Sequence, residues 1–324
     1  MTAAPSALAR LEAVPNLTIL RDEPLAVHTR FGIGGPASIY MESRARSAFL
    51  EALRVVKDCG LPWIVIGGGS NLVVADAGFP GIVLRYRADE IRRGPGNTVS
   101  FDAGAELQAL VDFSISEGLA GLHTMTRIPG SAGGAVYGNA GAYGRSISES
   151  ISTVTLFDGG KMQTVDNAAC QFHYRESIFK KRKEWIILSA TVELTLAPEA
   201  ELRRTADDIR KIRDEKYPPT MKCAGSIFKN LILSELSASI QARVPAGVIR
   251  EGKVPSAYFL EQVGAKGLRK GGIEVAPYHA NLIYNTGNGT ARELIEVIAD
   301  LKKRVAAEFG LALEEEVQYV GVAQ

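Results

Sequence analysis

The chain has 324 residues, 46% of them hydrophobic and 23% charged, which is typical of a globular protein of two or three domains. Its formal net charge of +1 gives no electrostatic case for binding nucleic acid or an anionic membrane surface. The three cysteines and four histidines lack metal-ligand or disulfide spacing. We therefore expect no metal site. No signal peptide or membrane-spanning run is recognisable, so we expect a cytoplasmic protein.

Residues 1–19 carry small residues and two prolines, and we expect a loosely attached lead-in there. Apolar residues at helical spacing then predict a helix from Arg44 to Cys59 that ends at Gly60. A buried strand is predicted at residues 63–66 and another at 81–85, with a glycine turn between them. This order of elements is typical of a small α/β unit.

The glycine turn is the segment Ile66-Gly-Gly-Gly-Ser-Asn-Leu72. Glycine lets a ligand approach the backbone closely, and such a turn can aim successive N–H groups at a phosphate. A plain structural turn explains the segment equally well. A second glycine-rich block, residues 127–144, favours the ligand, because two backbone cradles suit a long molecule with a diphosphate in its middle.

Further elements follow along the chain. We predict strands at residues 99–103, 151–156, 161–165, 185–194, 281–285 and 317–320, and helices at 105–117, 202–216, 257–263 and 291–309. The helix at 202–216 contacts its core through Ile209 and Ile212, and two prolines end it at a domain boundary. The charge run 180–183 is interpreted as a solvated turn.

Three polar residues stand in settings that suit catalysis. Ser226 lacks the second glycine of a GxSxG elbow, so a hydroxyl that exchanges a proton fits better than a nucleophile. Arg175, among aromatic and apolar neighbours, could stabilise an oxyanion. Glu316 adjoins Val317, and apolar surroundings raise the pKa of a carboxyl group. Taken singly, a turn serine, a structural ion pair and a surface acid are the simpler explanations.

The sequence resembles the UDP-N-acetylenolpyruvoylglucosamine reductases, flavoenzymes that make UDP-N-acetylmuramate for peptidoglycan. Seven segments in the family's order carry the resemblance: residues 28–35, 66–72, 128–134, 139–144, 174–179, 224–230 and 316–321. The short distance from Arg175 to Ser226 leaves little room for an extra tyrosine-bearing loop, so the chain resembles the family branch without it.

The resemblance implies an α+β fold. A two-part FAD-binding α+β module of the vanillyl-alcohol-oxidase/PCMH type would precede a smaller α+β substrate-binding domain. The expected boundaries are 1–19 for a variable lead-in, 20–86 and 87–204 for the two FAD-binding subdomains, and 205–324 for the substrate-binding domain. The last strand would be able to return to the FAD module.

The resemblance also implies site residues. The expected catalytic residues are Arg175, Ser226 and Glu316. The expected FAD-binding residues are Gly67, Gly68, Gly69, Ser70, Asn71, Leu72, Pro129, Gly130, Ser131, Gly133, Gly134, Asn139, Ala140 and Gly141. The expected substrate-binding residues are Tyr174, Lys216, Asn230 and Gln262.

By the same resemblance, NADPH would reduce FAD, and the reduced flavin would reduce UDP-N-acetylglucosamine enolpyruvate, with Ser226 as the proton donor. The expected partners are these small molecules only, without nucleic acid or membrane, and the expected state is a monomer. Two alternatives remain open from the residues: an oxidase of small alcohols on the same FAD-binding architecture, and a non-catalytic FAD or UDP-sugar sensor.

Overall fold

A computed structural model describes residues 7–322, so residues 1–6 and 323–324 lie outside the description. The chain divides into two compact units. The first contains the chain through Glu23 together with Ala37–Gly68 and Pro80–Pro218. The second contains Pro24–Pro36, Gly69–Phe79 and the chain from Pro219 onward.

The first unit contains a sheet that ends in the first glycine turn. Its strands lie in the spatial order Thr18–Pro24, Pro36–Ser43, Phe79–Tyr86 and Trp63–Ile66. The last two pair in parallel, with Ile66 opposite Arg85. Helix Arg46–Asp58 buries Phe49 in the core that also contains Leu84. Ile66 therefore brings the glycine turn to the end of a packed parallel strand.

A second sheet of the first unit is antiparallel. Its strands lie in the order Met162–Asp166, Ile151–Phe157, Ile186–Glu193, Thr98–Asp102 and Ile91–Arg93. One core joins this sheet to helices Leu107–Ser116, Ala132–Tyr137 and Glu199–Lys216. The smaller elements are the strand pairs Gly141–Ala142 with Arg145–Ser146 and Leu119–Ala120 with Thr195–Leu196, and the helices Ala7–Glu12, Ile178–Lys181, His123–Met125, Ile147–Glu149 and Ala168–Cys170.

The second unit is built from three separate stretches of chain. Its antiparallel sheet has the order Lys222–Ser226, Leu282–Asn285, Ile273–Val275 and Arg269–Lys270. The last strand, Gln318–Val320, pairs in parallel with Leu72–Val74. The remaining elements are the strand pair Leu231–Ile232 with Lys253–Val254, and the helices Leu25–His28, Leu233–Glu235, Ala238–Gln241, Ala246–Val248, Ser256–Gln262 and Ala291–Phe309.

Asp76 ties the middle stretch of the second unit to its longest helix. The Asp76 carboxylate accepts hydrogen bonds from the N–H groups of Ala291 (2.7 Å) and Arg292 (2.9 Å) at the start of helix Ala291–Phe309. A carboxylate in this position satisfies unpaired amides and favours the positive end of the helix. Residues far apart in sequence are thereby fixed in one unit.

The predicted elements are confirmed with their ends shifted by at most three residues, as for Glu199–Lys216 against the predicted 202–216. The contact predicted for Ile212 is wrong: this residue is 53% exposed, and Leu202, Ala206 and Ile209 are the buried positions of that helix. The charge run begins in helix Ile178–Lys181, and the Lys180 side chain is only 14% exposed, so the interpretation as a solvated turn is wrong for Lys180. Residues 181–183 are exposed and the helix ends at Lys181, which agrees with that interpretation.

The domain boundaries differ from the expected ones. The boundary expected after residue 204 falls inside helix Glu199–Lys216, whose Leu202 and Ala206 pack in the core of the first unit. The observed division falls between Pro218 and Pro219. Residues 24–36 and 69–79, expected in the first FAD-binding subdomain, belong to the second unit because Phe31, Ile33 and Val73 are buried in its core.

The expectation of a loose lead-in is wrong for residues 7–19; its first six residues lie outside the described chain. Helix Ala7–Glu12 carries Leu11, which is 1% exposed and packs in the same core as Phe49. Most residues around Leu11 are exposed, so the composition of this segment does not reveal that Leu11 is buried. The segment is therefore attached through the buried Leu11, with Leu17 and Ile19 packed against the same core.

We expect Leu11→Ala to lower the free energy of unfolding by about 2–5 kcal/mol, because it leaves a cavity in a packed core. Leu20→Ala is the matched control, since Leu20 is 39% exposed and should change stability by less than about 1 kcal/mol. Urea unfolding followed by circular dichroism measures both. Equal values for the two variants would contradict an anchoring role for Leu11.

Candidate functional site

The first glycine turn packs against the second glycine block inside the first unit. A Cβ atom added at Gly67 would lie 2.5 Å from Ser131 Oγ, and one added at Gly68 would lie 2.9 Å from Gly130 Cα. Side chains cannot be accommodated at such distances, so both positions require glycine for contact between the two loops. The two segments that the sequence suggested as backbone cradles therefore lie side by side.

The first turn also carries backbone donors that the protein leaves unused. Among residues 7–322, the N–H groups of Gly68, Gly69 and Ser70 have no hydrogen-bond acceptor. Successive N–H groups of this kind can form a concave site for an anion. The turn thus fits a phosphate-bearing ligand, and its glycines serve loop packing as well.

The remainder of the turn lies in the second unit. Gly69 has a φ of 62°, and an added Cβ would lie 1.8 Å from the carbonyl oxygen of His28. Its own carbonyl accepts a hydrogen bond from Arg30 N–H (3.1 Å). Leu72 begins the strand Leu72–Val74. Residues 28–30 therefore hold this end of the turn within the second unit.

The second glycine block is shaped by a short helix. Ser131 precedes helix Ala132–Tyr137 and accepts a hydrogen bond from Gly134 N–H (3.2 Å). An added Cβ at Gly133 would lie 2.6 Å from Ala103 Cβ, so the first turn of this helix packs directly against Ala103. The glycines at 133 and 134 therefore allow the block to fold back onto the core.

Asn139, expected to bind the cofactor, has both polar atoms of its side chain engaged by the protein. Its Nδ2 donates to the His173 carbonyl (2.7 Å), and its Oδ1 accepts from Ser148 N–H (3.3 Å). Its φ of 43° places the backbone in the left-handed region. Asn139 thus shapes the block, and its expected neighbours Ala140 and Gly141 follow it directly.

Arg175 lies in a tight turn with an unusual backbone conformation. His173 and Glu176 exchange two backbone hydrogen bonds of 3.0 Å, which leaves Tyr174 and Arg175 as the turn residues. The φ of Arg175 is 58°, a region that costs of order 1–3 kcal/mol for a side chain other than glycine. Such strain persists only where surrounding contacts impose it.

Contacts on two sides hold this turn. Arg175 Nη2 donates to the Gly141 carbonyl (2.9 Å), and its guanidinium group lies 5.4 Å from the centre of the Tyr174 ring. Lys180 Nζ donates to the Arg175 carbonyl (2.5 Å) and to Glu176 Oε1 (3.1 Å). The guanidinium is therefore anchored to the second glycine block, in the same unit as Gly67 and Gly68.

Lys216 is the last residue of helix Glu199–Lys216. Its Nζ lies 5.2 Å from the centre of the Tyr217 ring, and the guanidinium of Arg213 lies 5.4 Å from the same ring. Cations over an aromatic face are attracted to it. Two positively charged side chains thus lie near the end of the first unit, where the family resemblance implies a substrate-binding lysine.

Ser226 ends the strand Lys222–Ser226 beyond a β-bulge. Cys223 pairs with Tyr284 and Ser226 with Leu282, so the strand carries one extra residue between these pairs. Gly225 has a φ of 79°, and an added Cβ there would meet no atom within 4 Å. Bulges of this kind re-aim side chains next to active sites. The half-buried Ser226 hydroxyl is aimed by this bulge.

Glu316 lies beside the chain that continues from Ser226. The N–H of Glu316 donates to the carbonyl of Ile227 (2.7 Å), the residue after Ser226. Phe228 and Glu315 form an antiparallel bridge, and Lys229 N–H donates to the Glu314 carbonyl (2.9 Å). Ser226 and Glu316, 90 positions apart in the chain, are therefore neighbours on two paired segments.

The two acids before Glu316 have different settings. Glu314 is exposed, and its carboxylate pairs with the ammonium group of the buried Lys229. Glu315 is half-buried and pairs with Lys302 at 2.9 Å. Both ion pairs fix the segment that carries Glu316.

A buried polar network behind Ser226 escaped the sequence analysis. Asn281 Oδ1 accepts from Phe228 N–H (2.9 Å), and its Nδ2 donates to the Phe228 carbonyl (2.9 Å) and to Ser256 Oγ (2.7 Å). Asn230 Oδ1 accepts from Ser256 N–H (3.3 Å) at the start of helix Ser256–Gln262, where Gln262 is exposed. A satisfied network of this kind rigidifies the chain after Ser226.

Three of the side chains near these segments have shifted pKa values. Burial raises the pKa of Tyr137, at the end of the short helix of the second glycine block. Burial, with the Glu315 carboxylate adding to it, raises the pKa of Tyr319 to about 12. Burial raises the pKa of the Cys170 thiol to about 11. All three groups are therefore neutral near pH 7.

None of the helices formed by residues 7–322 has the length and apolarity that a membrane crossing requires. The same residues contain no group of three or more His, Cys, Asp or Glu side chains that could hold a metal ion. Cys59, Cys170 and Cys223 are free thiols.

Two family models match the chain. The model of the FAD binding domain matches residues 37–165, which include both glycine segments. The model of the UDP-N-acetylenolpyruvoylglucosamine reductase C-terminal domain matches residues 217–320, which include Ser226 and Glu316. Together they support an α+β chain with an FAD-binding part followed by a reductase-specific part.

Full-length relatives carry the same name. The UDP-N-acetylenolpyruvoylglucosamine reductase of Solibacter usitatus is 56% identical over 96% of this chain and 100% of its own length. That of Carboxydothermus hydrogenoformans is 33% identical over 94% of each chain. The crystal structure of UDP-N-acetylenolpyruvylglucosamine reductase (MurB) from Thermus caldophilus matches with a TM-score of 0.73 at 27% identity, covering 94% of this chain and 98% of that one.

We expect Gly68→Ala to weaken FAD binding by about tenfold or more, because its methyl group would displace Gly130 or Ser131. Gly160→Ala is the matched control, since the nearest atom to its added Cβ lies 3.6 Å away. Flavin absorbance and a fluorescence titration of the stripped protein measure the effect. Unchanged FAD affinity in Gly68→Ala would show that this loop contact does not shape the site.

Proposed function

The chain belongs to the UDP-N-acetylenolpyruvoylglucosamine reductase family, and on that premise we propose that it reduces UDP-N-acetylglucosamine enolpyruvate to UDP-N-acetylmuramate, with NADPH as the reductant. The product is a peptidoglycan precursor. The observation that carries the proposal is the hydrogen bond from Glu316 N–H to the Ile227 carbonyl, because it pairs the backbone of Glu316 with the residue that follows Ser226. An oxidase of small alcohols or a non-catalytic sensor would not need the segments of Ser226 and Glu316 to be paired.

FAD is the cofactor that this chemistry requires, and the glycine segments suit it. The unused N–H groups of Gly68, Gly69 and Ser70 and the adjoining Gly130–Ser131 backbone would hold its pyrophosphate. The proposed contacts extend to Gly67, Asn71, Leu72, Pro129, Gly133, Gly134, Asn139, Ala140 and Gly141. Bound FAD supplies the hydride carrier between NADPH and C3 of the enolpyruvyl group.

In the proposed mechanism Ser226 delivers the proton to C2. A neutral hydroxyl group can lie near the reacting carbons without repelling the hydride, whereas a carboxylate or thiolate would oppose it electrostatically. The bulge before Ser226 and the Asn281 network after it support this role, since both hold the serine backbone in one conformation.

Hydride addition at C3 puts negative charge on the carbon that is conjugated with the substrate carboxylate. We assign the stabilisation of this charge to the Arg175 guanidinium and to Glu316 in its protonated form. The anchored turn of Arg175 supports the assignment, because donors that are already in place need no reorganisation during the reaction.

The proposed substrate contacts are Tyr174, Lys216, Asn230 and Gln262. The cationic side chains of Arg213 and Lys216, at the C-terminal end of helix Glu199–Lys216, suit the phosphates of a nucleotide sugar. Asn230 is held by Ser256 N–H beside the serine strand, which suits a polar contact to the sugar. The free thiols of Cys59, Cys170 and Cys223 support a cytoplasmic location, where thiols stay reduced.

We expect Ser226→Ala to let NADPH bleach the flavin at nearly the wild-type rate, while reoxidation by the enolpyruvyl sugar slows about 10²–10⁴-fold. Anaerobic stopped-flow absorbance of the flavin measures both half-reactions. Ser116→Ala, an exposed serine on a helix, is the control. Equal loss of the two half-reactions would show that Ser226 is not the proton donor.

We expect Glu316→Gln to keep FAD bound and to lower kcat about 10²-fold, because an amide is a weaker hydrogen-bond donor than a carboxylic acid and stabilises the developing negative charge less. Flavin content and steady-state NADPH oxidation measure the two effects. Glu308→Gln, which loses only an exposed ion pair with Arg243, should leave kcat unchanged. Loss of FAD with normal turnover of any retained holoenzyme would rule out the catalytic role.

A further inference from the structure

Asn71 connects the first glycine turn directly to Glu316. Its side-chain Nδ2 donates to the carbonyl oxygen of Glu316 at 2.7 Å. Its own carbonyl accepts from Gln318 N–H at 2.9 Å, which starts the parallel pairing of Leu72–Val74 with Gln318–Val320. Backbone pairing thus begins at Gln318, and the Asn71 side chain extends it to Glu316.

Glu316 is therefore held on both of its peptide groups. Its N–H donates to the Ile227 carbonyl beside Ser226, and its carbonyl accepts from Asn71. Gln318 Nε2 reaches the same carbonyl at only 3.4 Å, near the limit of a hydrogen bond. Asn71 is the stronger of these two restraints on the carbonyl side.

We propose that Asn71 is a positioning residue that couples the glycine turn to the Glu316 carboxyl group. The assignment rests on the proposed function, which makes Glu316 catalytic. A side-chain amide is needed because the N–H groups of Gly68, Gly69 and Ser70 make no hydrogen bond to residues 7–322 and are left for an anion. Occupancy of the turn by the cofactor then restrains Asn71, and Asn71 restrains the acid.

This coupling explains an otherwise unneeded side chain. Pairing of Leu72–Val74 with Gln318–Val320 uses backbone groups only and does not require asparagine at position 71. A residue with a shorter or apolar side chain would leave the Glu316 carbonyl without its 2.7 Å donor. The carboxyl group would then sample several positions relative to the Ser226 strand.

The test uses the holoenzyme with Asn71→Ala and, as the matched control, Gln318→Ala. We expect Asn71→Ala to slow flavin reoxidation by the enolpyruvyl sugar about tenfold. NADPH reduction and FAD affinity should change less than about threefold, because the FAD contact proposed for Asn71 is made by its backbone while its side chain is bonded to Glu316. Gln318→Ala should change all three less than about threefold, because it removes the longer contact. The loss should fall on kcat and not on KM.

A double-variant cycle separates positioning from independent binding. If Asn71 acts through Glu316, Asn71→Ala combined with Glu316→Gln should be no slower than Glu316→Gln alone. The proposal would be overturned if the double variant lost rate by the product of the two single-variant losses. It would also be overturned if Asn71→Ala lost FAD affinity but kept a normal rate of reoxidation.

Amide hydrogen exchange of the peptide covering residues 312–320 gives a readout that needs no turnover. Exchange should be faster in Asn71→Ala than in Gln318→Ala and unchanged in peptides of helix Arg46–Asp58. If the wild type is not reoxidised by the enolpyruvyl sugar, the proposed function fails. The exchange comparison then decides the restraint by itself, and equal rates in the two variants would refute it.

Discussion

The hydrogen bond from the Glu316 amide to the Ile227 carbonyl is the contact on which the candidate site depends. It pairs the end of the chain with the segment after Ser226, and the Asn281 side chain holds the same segment from its other side. The chain after Ser226 is thus fixed by backbone and amide groups, whose geometry varies little. The two candidate residues, which are far apart in sequence, are therefore held on neighbouring backbone segments.

Much of the secondary structure could be predicted from apolar periodicity, and helix Ala291–Phe309 matches its predicted bounds because its apolar face and its following glycine are both clear in the sequence. Apolar periodicity does not show which hydrophobic core the apolar face of a helix or strand packs into. Phe31 and Val73 look like any buried apolar residues, yet they pack in the second unit, so the boundaries drawn between neighbouring segments were wrong. Leu11 was missed for the same reason, since one buried leucine makes no periodic pattern.

The candidate residues were named by resemblance, and the residues taken singly pointed to simpler explanations. The pairing of Ser226 with Glu316 requires contacts across most of the last third of the chain, which no local pattern encodes. Asn281 was invisible because a buried asparagine resembles a turn residue in sequence. The glycine turns could be recognised in the sequence as possible ligand cradles. The structure adds that Gly67 and Gly68 must be glycine because the loop at 130–131 packs against them.

The second unit draws its core from three stretches, with Asn71 and Glu316 separated by 245 positions. During synthesis, Phe31 and Val73 leave the ribosome long before the residues that bury them. These early stretches must wait unprotected until the final strand emerges, since non-local pairing closes only after large loops have been brought together. Assembly of this unit is consequently a late, all-at-once event, and a nascent chain released early would expose apolar surface to chaperones and proteases.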